Sequence, residues 1–153
     1  MTSTPRNWKI RIPIRPKCVQ SVRGERGVFH VDSKVRKWKD AIRPYIQEAC
    51  KEPPSDKPIR VVNFVYTFRC PKNVKKSIRR MIESGVEIPY LGNADITDNM
   101  NKGVVDVCAG LVFTNDRNIW KICHIKKVYG LEDSIYLEFE ETPGVTLIDG
   151  TEV

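Results

Sequence analysis

Apolar and polar residues alternate at the start of the chain. Trp8, Ile10, Ile12 and Ile14 fall on one side, Lys9, Arg11 and Pro13 on the other. A period of two is that of a half-buried strand. Further on the period lengthens. Val35, Trp38, Ile42, Tyr45, Ile46 and Ala49 recur at three- and four-residue spacing, predicting a helix in "DSKVRKWKDAIRPYIQEACKE" that Pro44 should kink or interrupt. "IRVVNFVYTFRC" is rich in β-branched and aromatic residues and predicts a central strand. "PKNVKKSIRRMIESG" predicts a short basic helix stopped at Gly85. Met100, Val104, Val107, Cys108 and Leu111 have helical spacing. "VFTNDRNIWKICHIKKVY" predicts two strand pieces joined at Asn115-Asp116, and Ile135, Leu137 and Phe139 mark a closing strand.

The order strand, helix, strand, helix, helix, strand, strand predicts an α+β fold. We expect one compact domain over residues 1–141, with a mixed or mainly antiparallel sheet packed with helices, and a loose tail over 142–153. The segment "RPKCVQSVRGERG" lacks apolar periodicity and reads as a loop. At 153 residues the chain can bury a core without disulfides or a structural metal. Its five cysteines are scattered with no Cys-x-x-Cys pair, as expected of reduced thiols in the cytoplasm. No apolar run has the length of a membrane span, and the first residues lack a signal-peptide core.

Charge changes the picture. The chain has net charge +7, but residues 1–86 carry 21 Lys and Arg against 7 Asp and Glu, while residues 87–153 carry 5 against 12. A basic half suits a polyanion such as nucleic acid. The acidic half begins with "NADITDNMNKGVVDVCAGLVFTND", where Asp95, Asp98, Asp106 and Asp116 surround one lysine, Lys102. Converging carboxylates are the ligands Mg²⁺ prefers, and a lysine beside them can meet phosphate charge. Asp95, Asp98, Asp116 and Lys102 supply such a set if the fold returns Asp116 to the others. The same residues also fit a plainer role. Asp95 and Asp98 are spaced for helix capping, Asp98, Lys102 and Asp106 for an exposed ion-pair stripe, and Asn115-Asp116 for a turn. No phosphate-binding loop or dinucleotide fingerprint is present.

The segment "DITDNMNK", the helix "VVDVCAGLVF", the turn and strand "TNDRNIWKICHIKKVYG" and the closing "SIYLEFEE" together resemble the RusA family of Holliday-junction resolvases. Asp98-Asn99 and Lys102 fall at the family's offsets, and Asp106 on its helix aspartate. Two departures stand out. Two residues, Ile96 and Thr97, separate Asp95 from Asp98 where the family has one, and Asn115-Asp116 replaces a pair of aspartates. In a strand the extra residue would turn Asp95 to the opposite face unless a bulge or an early helix start restored it.

The resemblance implies a Mg²⁺-dependent endonuclease, with Mn²⁺ as a substitute. It implies a homodimer that nicks four-way DNA junctions symmetrically and leaves 5′-phosphate and 3′-hydroxyl ends. Asp95, Asp98 and Asp116 would hold the metal and Lys102 would stabilise the transition state. Arg15, Lys17, Arg23 and Arg26 in the first loop, and Lys72, Lys75, Lys76, Arg79 and Arg80 in the second basic segment, would hold the DNA backbone. Two other readings stay open: a DNA-binding module without catalysis, and an interaction domain whose acidic face meets a basic partner.

Overall fold

In a computed structural model the chain is described at residues 4–19, 23–25, 28–30 and 33–153. The N-terminal alternation forms β1 (Asn7–Ile12), with Trp8, Ile10 and Ile12 buried. The expected loop over residues 15–27 instead contains a short strand, β2 (Arg23–Glu25), which pairs as a hairpin with β3 (Val28–His30) just after it. Helix α1 (Ser33–Ala49) follows and buries Val35, Trp38, Ile42 and Ile46, while Tyr45 and Ala49 stay exposed. Pro44 does not interrupt it. Its ring lies on the solvent side, where the Asp40 carbonyl that loses a partner can meet water, and Ile42 and Ile46 hold the opposite side.

The long strand β4 (Ile59–Arg69) is central, as its composition predicts. Along one edge it pairs antiparallel with β8 (Ser134–Glu141), which in turn pairs with β1. Along its other edge β6 (Ile119–Ile122) and β7 (Ile125–Gly130) lie end to end, both parallel to it. The two pieces are joined at Cys123-His124, not at Asn115-Asp116. The break lies beside the register shift between Val61 and Asn63, where Cys123 N–H donates to Val61 O (2.8 Å) and His124 O accepts from Phe64 N–H (3.0 Å). Asn115 instead caps a 3₁₀ turn, η1 (Asp116–Asn118), ahead of β6. A short β5 (Ile88–Pro89) adds to the outer edge of β7.

The mixed sheet agrees with the α+β expectation. The shift in β4 explains its burial pattern: Ile59 and Val61, then Phe64, Tyr66 and Phe68, face the same side across a gap of three. A bulge adds the residue that resets the alternation. These side chains join Ile135, Leu137 and Phe139 of β8 and the β1 apolar row beneath α1 and α3 (Asn99–Cys108). Helix α2 (Lys76–Glu83) differs from both, because it buries none of its residues. It ends as the sequence suggests, with Gly85 at φ +91°.

Helix α3 fits against α1 through Gly103. A Cβ there would stand 2.5 Å from Val19 Cγ2 and 2.8 Å from Trp38 Cζ3. Alanine in a helix interior gains about 0.5–1 kcal/mol over glycine, whereas overpacking costs about 1–3 kcal/mol. Gly103→Ala is therefore expected to lower stability in urea denaturation, and Gly103→Val to lower it further.

Candidate active site

The sequence "NADITDN" leads into α3 as a turn rather than a strand. The Asp95 carbonyl accepts from Asp98 N–H (3.4 Å) and Met100 N–H (2.9 Å), which takes up the extra residue. The face-reversal expected of a strand therefore does not arise. Asp95 Oδ1 accepts from Thr97 N–H (2.9 Å) and from the Thr97 hydroxyl (2.5 Å), while Asn99 Oδ1 accepts from Asp95 N–H (3.1 Å). These Thr97 bonds, hydroxyl first, hold the Asp95 carboxyl below the ordinary carboxylate range, and the nearby Lys127 charge adds to them.

Asp98 is the N-cap residue of α3, yet among the described residues its side chain makes no cap hydrogen bond. The capping role suggested by its spacing is not taken up, and its carboxylate is exposed. Lys102 lies one helical turn on, within α3, and is exposed too. The ion-pair stripe is broken at its far end: Asp106 pairs with Lys39 of α1 (3.1 Å).

The main chain of this loop is tied from three directions. Cys18 Sγ donates to Asn93 O (3.2 Å) and Val19 N–H to Asn99 O (3.0 Å). The Tyr66 hydroxyl donates to Asn101 Oδ1 (2.7 Å), whose amide donates to Ile96 O (2.5 Å). Burial pushes the Tyr66 hydroxyl well above its ordinary pKa, so it remains a donor. From β7, Lys127 Nζ donates to Ala94 O. Apart from the Asn101–Ile96 bond, none of these ties is visible in local sequence, because each joins residues far apart in the chain.

Asp116 is exposed and belongs to a different anchorage. Its turn is fixed by Asn115 Oδ1, which accepts from Arg117 N–H (3.0 Å), and by Asn118 Nδ2, which donates to Ser55 O (3.2 Å). Ser55 is itself buried and donates its hydroxyl to Glu141. In register, Ile119 stands opposite Ile59 and Lys127 opposite Tyr66, seven residues along β4. At about 3.3 Å per residue the two levels are roughly 23 Å apart. Asp95 and Asp98 share one loop, while Asp116 lies on a separate turn, η1, that packs against α3. Among the described residues no three His, Cys, Asp or Glu side chains come together as a cation site.

The basic residues also divide. Lys72, Lys75, Lys76 and Arg80 are exposed on or beside α2, with Arg79 half-buried. Arg15 is engaged elsewhere: it pairs with Asp133 (3.1 Å) and its guanidinium lies 5.1 Å from the Phe68 ring centroid. Lys17 is half-buried, Arg23 falls in β2, and Arg26 lies outside the described residues. All five cysteines are free thiols. No helix among the described residues is long and apolar enough to cross a membrane.

With this fold and loop in view, comparison with known families is decisive. The family described as Endodeoxyribonuclease RusA matches residues 12–140. The chain belongs to the RusA family. A search of curated proteins gave no match. The matched span runs from the end of β1 into β8, so it includes the sheet apart from most of β1, together with α2, the Asp95–Asp98 loop, α3 and Asp116. RusA membership places the chain among nucleases acting on DNA, in keeping with its basic half.

Proposed function

We propose that this member of the RusA family is a Mg²⁺-dependent, structure-selective endonuclease that nicks four-way DNA junctions in pairs as a homodimer. The family match over residues 12–140 carries the reading. The exposed Asp98 carboxylate, standing at the head of α3 with Lys102 one turn away, supports it.

Asp95, Asp98 and Asp116 are the proposed metal ligands. Their all-oxygen chemistry suits a hard cation, and Mn²⁺ is the expected substitute. Bound there, Mg²⁺ would polarise a phosphoryl oxygen and supply activated water. The protein's own part is to hold Asp95 and Asp98 on a tethered loop and to place the Lys102 ammonium where charge develops on the phosphate. The reading also requires Asp116 to be delivered to that pair, from its own chain or from the second copy of the dimer. That Asp116 lies on a different turn, with no three ligating side chains brought together among the described residues, favours one rival, a DNA-binding module without catalysis.

The α2 segment supplies phosphate contacts in this reading. Because α2 buries none of its residues, its charges can be removed without disturbing the core. Replacing Lys72, Lys75, Lys76, Arg79 and Arg80 with Gln should flatten the salt dependence of junction binding, by about 0.9 in log–log slope for each phosphate no longer neutralised. Fluorescence anisotropy across a salt series measures it, and an unchanged slope would remove α2 from the interface.

The reading as a whole is tested by competition binding without divalent metal, followed by mapping of product ends once Mg²⁺ is added. Preference for a junction over matched duplex, with 5′-phosphate and 3′-hydroxyl ends in opposed strands, is expected. Tight binding with no product supports the module instead.

A further inference from the structure

Two lysines are adjacent on β7 and their side chains have different fates. Lys126 faces away from the helices and pairs with Glu87 at the surface. Lys127 stands opposite Tyr66 in the register, on the side where Tyr66 reaches α3. It is half-buried, and its ammonium donates to the carbonyl of Ala94, the residue before Asp95. Ala94 is itself buried at 6% exposure. A buried carbonyl needs a donor, and here a side chain 33 positions later in the sequence provides it.

The path of the Lys127 side chain is also fixed. Its Nζ lies 6.0 Å from the centroid of the Tyr90 ring. Tyr90 stacks on Phe68 at 3.8 Å and meets Tyr129 edge-on at 5.1 Å, and its N–H donates to Lys127 O (3.1 Å). Gly92 belongs to the same packing, since a Cβ there would run into the Tyr90 hydroxyl. A lysine laid on an aromatic bed, with its ammonium on a buried carbonyl, is placed to fix a backbone more than to reach out for phosphate.

Resting on the proposed nuclease reading, we infer that Lys127 is a positioning residue of the active site: its ammonium holds the main chain at Ala94 and so sets where the Asp95 carboxylate stands. It acts through Asp95 and does not touch the DNA. Tyr66 performs the matching task from β4, through Asn101, at Ile96.

The test compares Lys127→Met, which keeps the stem and loses the donor, with Lys127→Arg, which keeps a donor. Hydrogen exchange over residues 93–99 reads the loop directly and needs no substrate. Lys127→Met should speed that exchange roughly tenfold, while Lys127→Arg leaves it near wild type. Turnover on saturating junction with Mg²⁺ should fall roughly tenfold or more in the Met variant, as for a small misplacement of a reacting group. Junction affinity without metal should stay within about twofold, because no phosphate contact is removed. Unchanged exchange in Lys127→Met would overturn the inference. So would a tenfold or larger loss of metal-free junction affinity with turnover at saturation unchanged, which would make Lys127 a DNA contact. A wild-type protein that nicks nothing, with exchange still faster in Lys127→Met, would leave the tether standing but remove the nuclease reading and the positioning role with it.

Discussion

Asp98→Asn is expected to lower junction nicking by about 10²–10³-fold, the scale of removing one electrostatic contact to a reacting centre, while junction binding persists. The substitution is nearly isosteric, and the Asp98 side chain makes no cap hydrogen bond among the described residues, so α3 should form as before. Asp116→Asn is expected to have the same effect, since the η1 turn is held by Asn115 and Asn118 rather than by Asp116. Single-turnover cleavage beside a gel-shift titration separates the two quantities. A coexpressed heterodimer of the two variants adds information about delivery. Recovered nicking would assign Asp116 to the partner's site, and absent nicking would assign it to its own chain. If each single variant cut at wild-type rate, these carboxylates would have no part in the reaction.

Asp95→Asn is the second large effect expected, and it separates charge from shape. Oδ1 of Asp95 accepts both the N–H and the hydroxyl of Thr97, and an asparagine carbonyl can accept the same two bonds. The turn should therefore survive, with thermal stability close to wild type, while the negative charge is lost. Nicking is expected to fall about 10²-fold or more if that charge holds a cation or orients the attack. Near-normal nicking would show that Asp95 serves only to shape the loop, leaving the metal to Asp98, Asp116 and another ligand.

Much of the fold was legible because burial imposes a period. Trp8, Ile10 and Ile12, or Ile135, Leu137 and Phe139, are written in alternation because one sheet face is covered by helices. The stripe of α1 was legible for the same reason, although Tyr45 and Ala49 lie at its exposed margin. The break between β6 and β7 was not. It is set by the bulge in β4, and a strand cannot announce in its own residues where its neighbour shifts register. Likewise, "DITDN" could be recognised as acidic and placed before a helix, but where its turn is anchored depends on ties from Cys18, Val19, Tyr66 and Lys127. Only folding brings those residues to the loop. Lys127 carried no local signal at all, being one of two adjacent lysines in a strand. Asp116 was legible as a turn residue, and its turn is η1, fixed ahead of β6 by Asn115 and Asn118.

The central claim is that the basic half gathers branched DNA and the carboxylates at the head of α3 cut it. Labelled four-way junction and matched linear duplex, each incubated with wild-type protein with and without Mg²⁺, test this most directly. The account predicts paired nicks in the junction with Mg²⁺, none without it, and little cutting of the duplex. Junction that is bound but left whole under both Mg²⁺ and Mn²⁺ would contradict it.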